Sequence, residues 1–141
     1  MNILAMVTVA GFVILSGLHF YWVFGGKRGF DKSIPTVGDK PTLNPGPVIT
    51  AIVALGLLGF GAITYLLGFT DLAFVKNGNL IVVAGWCVSA IFLIRAVGDF
   101  KTVGFFKKIR TTDFGRYDTK FYSPLCLFLA IVLGLLAFRA G

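Results

Sequence analysis

Four apolar runs, at residues 3–24, 48–69, 80–98 and 125–138, decide what this chain can fold into. A helix needs about 20 mostly apolar residues to cross a bilayer, with roughly 17 as a lower bound. The first three runs reach that length directly. The fourth reaches it when extended back to Tyr122, with Pro124 tolerated in the first helical turn. Hydrophobic residues make up 57% of the chain and charged ones only 13%. A soluble domain carries about 25% charged residues, so a water-soluble fold of this length could not cover so much apolar surface. The sequence predicts an all-α integral membrane protein, a single four-transmembrane-helix bundle over residues 1–141 with spans at about 3–24, 48–69, 80–98 and 122–138. The first run lacks a basic segment before it and a small-x-small cleavage site after it, so it reads as a mature helix rather than a signal peptide.

The connections differ in charge. Lys27, Arg28, Lys32 and Lys40 lie in the first; Lys101, Lys107, Lys108, Arg110, Arg116 and Lys120 lie in the third. The middle connection has only Lys76 and the C-terminus only Arg139. The positive-inside rule then predicts two long cytoplasmic loops and both termini outside. The net charge of +7 is thereby explained by topology and anionic headgroups, and nucleic acid is not an expected partner; membrane lipids are. The first loop is dense in glycine and proline, which favours turns, and Phe30, Ile34 and Leu43 are expected to anchor it as an ordered cap. In the other loop, apolar and basic residues mix over 105–110, which predicts a short interfacial helix. Cys87 and Cys126 form no CxxC and fall in different halves of the membrane, so both read as packing residues. Gly56, Gly59 and Gly61 allow close helix approach. The expected use is packing inside the bundle, with a second copy or a membrane-complex partner as the alternative.

Polar side chains gather at one end. The predicted topology puts His19, Tyr21 and Trp22, then Arg95 and Asp99, then Asp118 and Tyr122 at similar depth. Arg95 and Asp99 are four apart near the end of the third span, where a charge costs a few kcal/mol unless paired, snorkelling or functional. Base before acid is the weaker order for such a pair, and the helix dipole disfavours an anion at a C-terminus. Asp99 is therefore expected to need a further donor, from His19 or a loop lysine. Arg95 has three readings: a snorkelling side chain, an ion pair within the bundle, or a ligand contact. A lone histidine falls short of a metal set, so no metal or other cofactor is assigned. No Walker loop, HExxH or GxSxG is present, and no catalytic residue is assigned.

The stretches His19-Phe20-Tyr21-Trp22 with Gly25-Gly26, Arg95-Ala96-Val97-Gly98-Asp99-Phe100, Tyr117-Asp118, and Tyr122-Ser123-Pro124-Leu125-Cys126 resemble an uncharacterised family of small bacterial four-span membrane proteins, a domain of unknown function. The resemblance covers essentially the whole chain. It implies a multi-pass protein of the bacterial cytoplasmic (inner) membrane and transfers no activity, substrate or cofactor. It encourages treating His19, Trp22, Arg95, Asp99, Asp118 and Tyr122 as one ligand-binding site. The leading expectation is a non-enzymatic protein with a polar pocket at the cytoplasmic end for an anionic lipid or small amphipathic ligand. Arg95 would meet the anion, Trp22 and Tyr122 would form flat walls, and Asp99 would orient Arg95. The alternatives are an accessory subunit docking through its second helix, and a membrane enzyme acting on a lipid or isoprenoid with His19 and Asp99 as acid and base.

Overall fold

The computed structural model describes all 141 residues. Its long helices are α1 (Asn2–Val23), α2 (Pro47–Phe69), α3 (Gly78–Val97) and α5 (Ser123–Ala140). A short α4 (Asp113–Tyr117) runs into α5 through a π-helical turn at Asp118–Tyr122. That turn has a local cause. Pro124 has no amide to donate, and its ring crowds the carbonyl four residues back, so the helix widens just before it. With α4 included, the four candidate spans have 22, 23, 20 and 28 residues and mean hydropathies of 2.1–2.3. The protein is a four-helix membrane bundle. Ile14 and Ile94 are 71% and 69% exposed. Outward apolar side chains on spanning helices suit hydrocarbon, where no water has to be ordered around them.

Inward faces follow helical spacing. α1 buries Ala5, Thr8, Phe12 and Ser16, steps of three or four that keep one stripe on one side. α2 buries Thr50, Ala54, Leu57, Gly61, Thr64 and Leu67 in the same rhythm. α1 packs along α2 and α3 along α5, and the two pairs meet mainly through α2 with α3 and α5. Each pair carries one inter-helix hydrogen bond from a buried serine. Ser16 Oγ donates to the Ala54 carbonyl at 2.8 Å, and Ser89 Oγ to that of Ala130 at 2.7 Å. Lipid offers such hydroxyls no partner, so each is satisfied within the protein, at roughly 0.6 kcal/mol apiece. Phe12, Phe60 and Phe92 from α1, α2 and α3 meet with ring centroids 5.6–6.0 Å apart.

The glycines divide differently from expectation. A Cβ on Gly61 would touch that of Phe12, one on Gly68 would strike that of Ala5, and one on Gly85 would strike Leu67. Gly56 and Gly59 have nothing within 4 Å of such a Cβ. Only Gly61 of the predicted three therefore serves packing inside the bundle; Gly56 and Gly59 face outward. The phase of the stripe decides this, since Leu57 and Gly61 point inward and fix the rest.

The two ends of the bundle differ. Met1, Asn2, Arg139 and Ala140 share a crevice of about 330 Å³ with Thr70, Asp71, Leu72 and Ala73. The chain's first and last residues thus lie at the end that holds the short connection. Both long loops lie at the other end. There residues 25–46 include a turn of 3-10 helix at Asp31–Ser33 and a two-strand antiparallel hairpin, β1 (Thr36–Val37) and β2 (Lys40–Pro41), with Thr36 opposite Pro41. Phe30 packs edge-on against Trp22 at 5.6 Å. Leu43 is 62% exposed and anchors nothing, which corrects that part of the expectation.

The predicted interfacial helix over 105–110 does not form. The Lys101 carbonyl accepts from the amides of both Lys108 and Ile109, at 3.1 and 2.9 Å. Arg110 Nε donates to the Lys107 carbonyl at 3.0 Å, and its Nη2 to that of Phe105 at 3.1 Å. These bonds consume the carbonyls a helix would need, and they turn Lys107 inward.

Candidate functional site

Asp118 is the centre of the loop end. It is fully buried in the π-helical turn. Its Oδ1 accepts from Arg95 Nη2 at 2.8 Å. Its Oδ2 accepts from Lys107 Nζ at 2.9 Å, the Gly104 amide at 2.8 Å and Ser123 Oγ at 3.1 Å. The Lys107 side chain is also fully buried. Its ammonium further donates to the Gly104 carbonyl at 3.0 Å and to Thr119 Oγ1 at 2.6 Å, so its three protons each have an acceptor. The cluster holds two cations and one carboxylate, a net charge of +1.

Arg95 is the member that is not fully used. Its side chain is 32% exposed, yet its Nη1 is buried without a hydrogen-bond partner. It lines a cavity of about 380 Å³ roofed by Phe30, Ser33 and Ile34. α1 contributes Leu15, Leu18, His19 and Trp22, the π-helical turn contributes Tyr122, and α5 contributes Leu125, Cys126 and Leu129. Most of the lining is apolar. His19 Nδ1 lies 2.7 Å from the Leu15 carbonyl. A carbonyl only accepts, so Nδ1 is the donor of that bond. Trp22 stacks edge-on with His19 at 4.9 Å and donates its Nε1 to the Arg28 carbonyl at 2.9 Å. Tyr122 OH reaches the Lys32 carbonyl at 3.3 Å. The aromatic side chains thus tie the first loop over the cavity.

Of the six residues singled out in the sequence, His19, Trp22, Arg95 and Tyr122 border this cavity, and Asp118 stands behind Arg95. Asp99 does not join them. It is exposed, and it does not pair with Arg95, which corrects both the predicted orienting role and the acid–base pairing with His19. Its Oδ1 accepts from the amides of Lys101, Thr102 and Val103 at 2.9, 2.7 and 2.9 Å, and its Oδ2 from Thr102 Oγ1 at 2.8 Å. The donors come from its own turn rather than from His19 or a lysine side chain. Lys107, Gly104 and Ser123 were not singled out in the sequence, although they hold Asp118.

The Asp99 turn gives a pH prediction. Slight burial alone would raise its carboxyl pKa. Hydrogen bonds from the amides of Val103 and Lys101, and from the hydroxyl and amide of Thr102, outweigh that and hold it well below the usual carboxylate range. A depressed folded-state value gives stability that is present above the unfolded value, near 4, and lost as the pH falls through the folded one. Asp99→Asn is expected to be less stable than wild type at pH 7. The gap is expected to narrow once the pH passes below about 4. Thermal unfolding in detergent between neutral and strongly acidic pH checks this; a gap that stays constant would show that ionised Asp99 is not its source.

The fold and the cluster define a class: a four-span membrane protein with a buried carboxylate shared by two cations, beside an apolar cavity at one end. The chain belongs to the family described as protein of unknown function (DUF3995), whose match spans residues 12–133. That stretch contains the cluster and the whole cavity lining. No curated protein and no solved structure matches the chain.

Proposed function

We propose that this is a non-enzymatic membrane protein whose cavity binds the anionic head of a lipid or small amphiphile. The observation that carries the reading is the uncompensated charge. Asp118 neutralises one of its two cations, and the donor left over, Arg95 Nη1, belongs to a side chain that lines the cavity. An anion there would use that donor and balance the cluster. Trp22, Phe30 and Tyr122 would supply flat walls for the first carbons beyond the head. The distribution of lysine and arginine supports a cytoplasmic position for this end, and a bacterial inner membrane is what the sequence resemblance implies.

A hydrogen bond to a charged group contributes about 1.5–3 kcal/mol, so Arg95→Gln is expected to weaken retention roughly 10- to 150-fold. Native mass spectrometry of gently solubilised protein tests this. Wild type is expected to carry a small adduct that Arg95→Gln loses and Arg95→Lys partly keeps. An adduct held equally by all three would overturn the reading. An accessory role is favoured by Gly56 and Gly59, which leave an unfilled face on α2; a co-purifying subunit in place of a small adduct would select it.

A further inference from the structure

The first loop covers one side of the cavity. Its roof is pinned by Trp22 to the Arg28 carbonyl and by Tyr122 to the Lys32 carbonyl. Four apolar lining residues are nevertheless well exposed: Leu18 at 39%, Ile49 at 57%, Val53 at 42% and Leu125 at 37%. All four sit on spanning helices. Leu18 is five residues from the end of α1, and Val53 six from the start of α2. At 1.5 Å per residue these two lie roughly 7–9 Å inside the helix ends, a depth reached by acyl chains rather than water, while Ile49 and Leu125 lie two residues in, nearer the headgroups. Ligand cavities run from about 300 to 1,000 Å³, so about 380 Å³ is near the lower limit. It accommodates a head and the first part of one chain. A longer chain would have to continue outside.

Resting on the reading above, we infer that the ligand is a single-chain lipid with a monoanionic head, loaded from the bilayer through a side opening bounded by Leu18, Ile49, Val53 and Leu125. The head passes to Arg95, where its single charge balances the cluster's net +1. The chain trails through the opening into the membrane. A two-chain lipid fits this arrangement poorly, because a cavity of about 380 Å³ holds little beyond a head and the start of one chain.

The test uses full-length protein in liposomes and a sixteen-carbon fatty acid bearing a diazirine midway along its chain. After irradiation, labelled residues are mapped by peptide mass spectrometry. Labels are expected to concentrate at Leu18, Ile49, Val53 and Leu125. They should fall at least several-fold in Arg95→Gln and recover in Arg95→Lys. Leu125→Trp adds bulk at the opening without touching the cluster, and it should lower labelling at the other three positions. Labelling confined to Phe30 and Ile34 would mean entry beneath the cap and would overturn the side opening alone. Labelling at the four positions that ignores Arg95→Gln would overturn recognition of the head and leave the opening standing. An even spread over the outward helix faces, or no effect of Leu125→Trp, would overturn the inference.

Discussion

Asp118→Asn is expected to cost about 3–5 kcal/mol, the usual penalty for removing one partner of a buried ion pair. The reason is the count of charges. Asparagine keeps the volume and one acceptor oxygen, yet it leaves both Arg95 and Lys107 without a counterion. Arg95 is partly exposed and can turn toward solvent or a headgroup. Lys107 is fully buried and cannot do so without unravelling residues 98–110. Such a loss is a large share of a typical stability of 5–15 kcal/mol. Lys107→Met paired with Asp118→Asn should recover part of it, because the buried ammonium is then gone as well. Groups in one network commonly couple by roughly 0.5–3 kcal/mol. Denaturant titration in mixed micelles, run on both single variants and the double, measures that coupling. An Asp118→Asn protein that unfolds within 1 kcal/mol of wild type, or strictly additive variants, would show that the cluster does not hold the loop in place.

The bundle was legible because its cause is crude. Twenty apolar residues in a row have few other stable destinations, and α1, α2 and α3 begin and end within two residues of the apolar runs. Arg95 stood out for the same reason, as a charge in an apolar segment. Its partner was not legible. The four-residue rule points to Asp99, but the contact that forms is to Asp118, 23 positions away, and no local rule reaches so far. A signal for Asp99 did exist. An aspartate after a glycine at a helix end is suited to an Asx turn that captures the next amides, and that is its use here. Lys107 gave no signal at all. Lys108 beside it has the same chemistry and remains exposed; only the path of the loop distinguishes them. Gly56 and Gly61 likewise look alike in sequence and differ only in phase around α2.

Gly98→Ala is expected to be a strongly damaging single-methyl change in the loop. Gly98 closes α3 with φ +89° and ψ −168°, a region essentially restricted to glycine; a side chain there costs about 1–3 kcal/mol before any contact is considered. Contact adds to it. A Cβ would collide with the Val103 carbonyl oxygen and come within 2.7 Å of the Gly104 Cα. The two strands of this turn are held close by the Phe105 amide, which donates to the Ala96 carbonyl at 2.8 Å. They cannot separate without losing that bond. The turn also delivers the Gly104 amide to Asp118 and the Gly104 carbonyl to Lys107. A methyl group at Gly98 therefore acts on the cluster from outside it. Gly98→Ala should lower stability, and it should also weaken retention of any anionic adduct, although it removes no charged group. Gly59→Ala is the matched control. It adds the same methyl on the lipid face, where nothing lies within 4 Å, and alanine is the better helix former by about 1 kcal/mol. Detergent unfolding and native mass spectra of the pair separate the two effects. Were Gly98→Ala as stable as Gly59→Ala, the crossing of residues 98 and 104 could not be what positions Lys107.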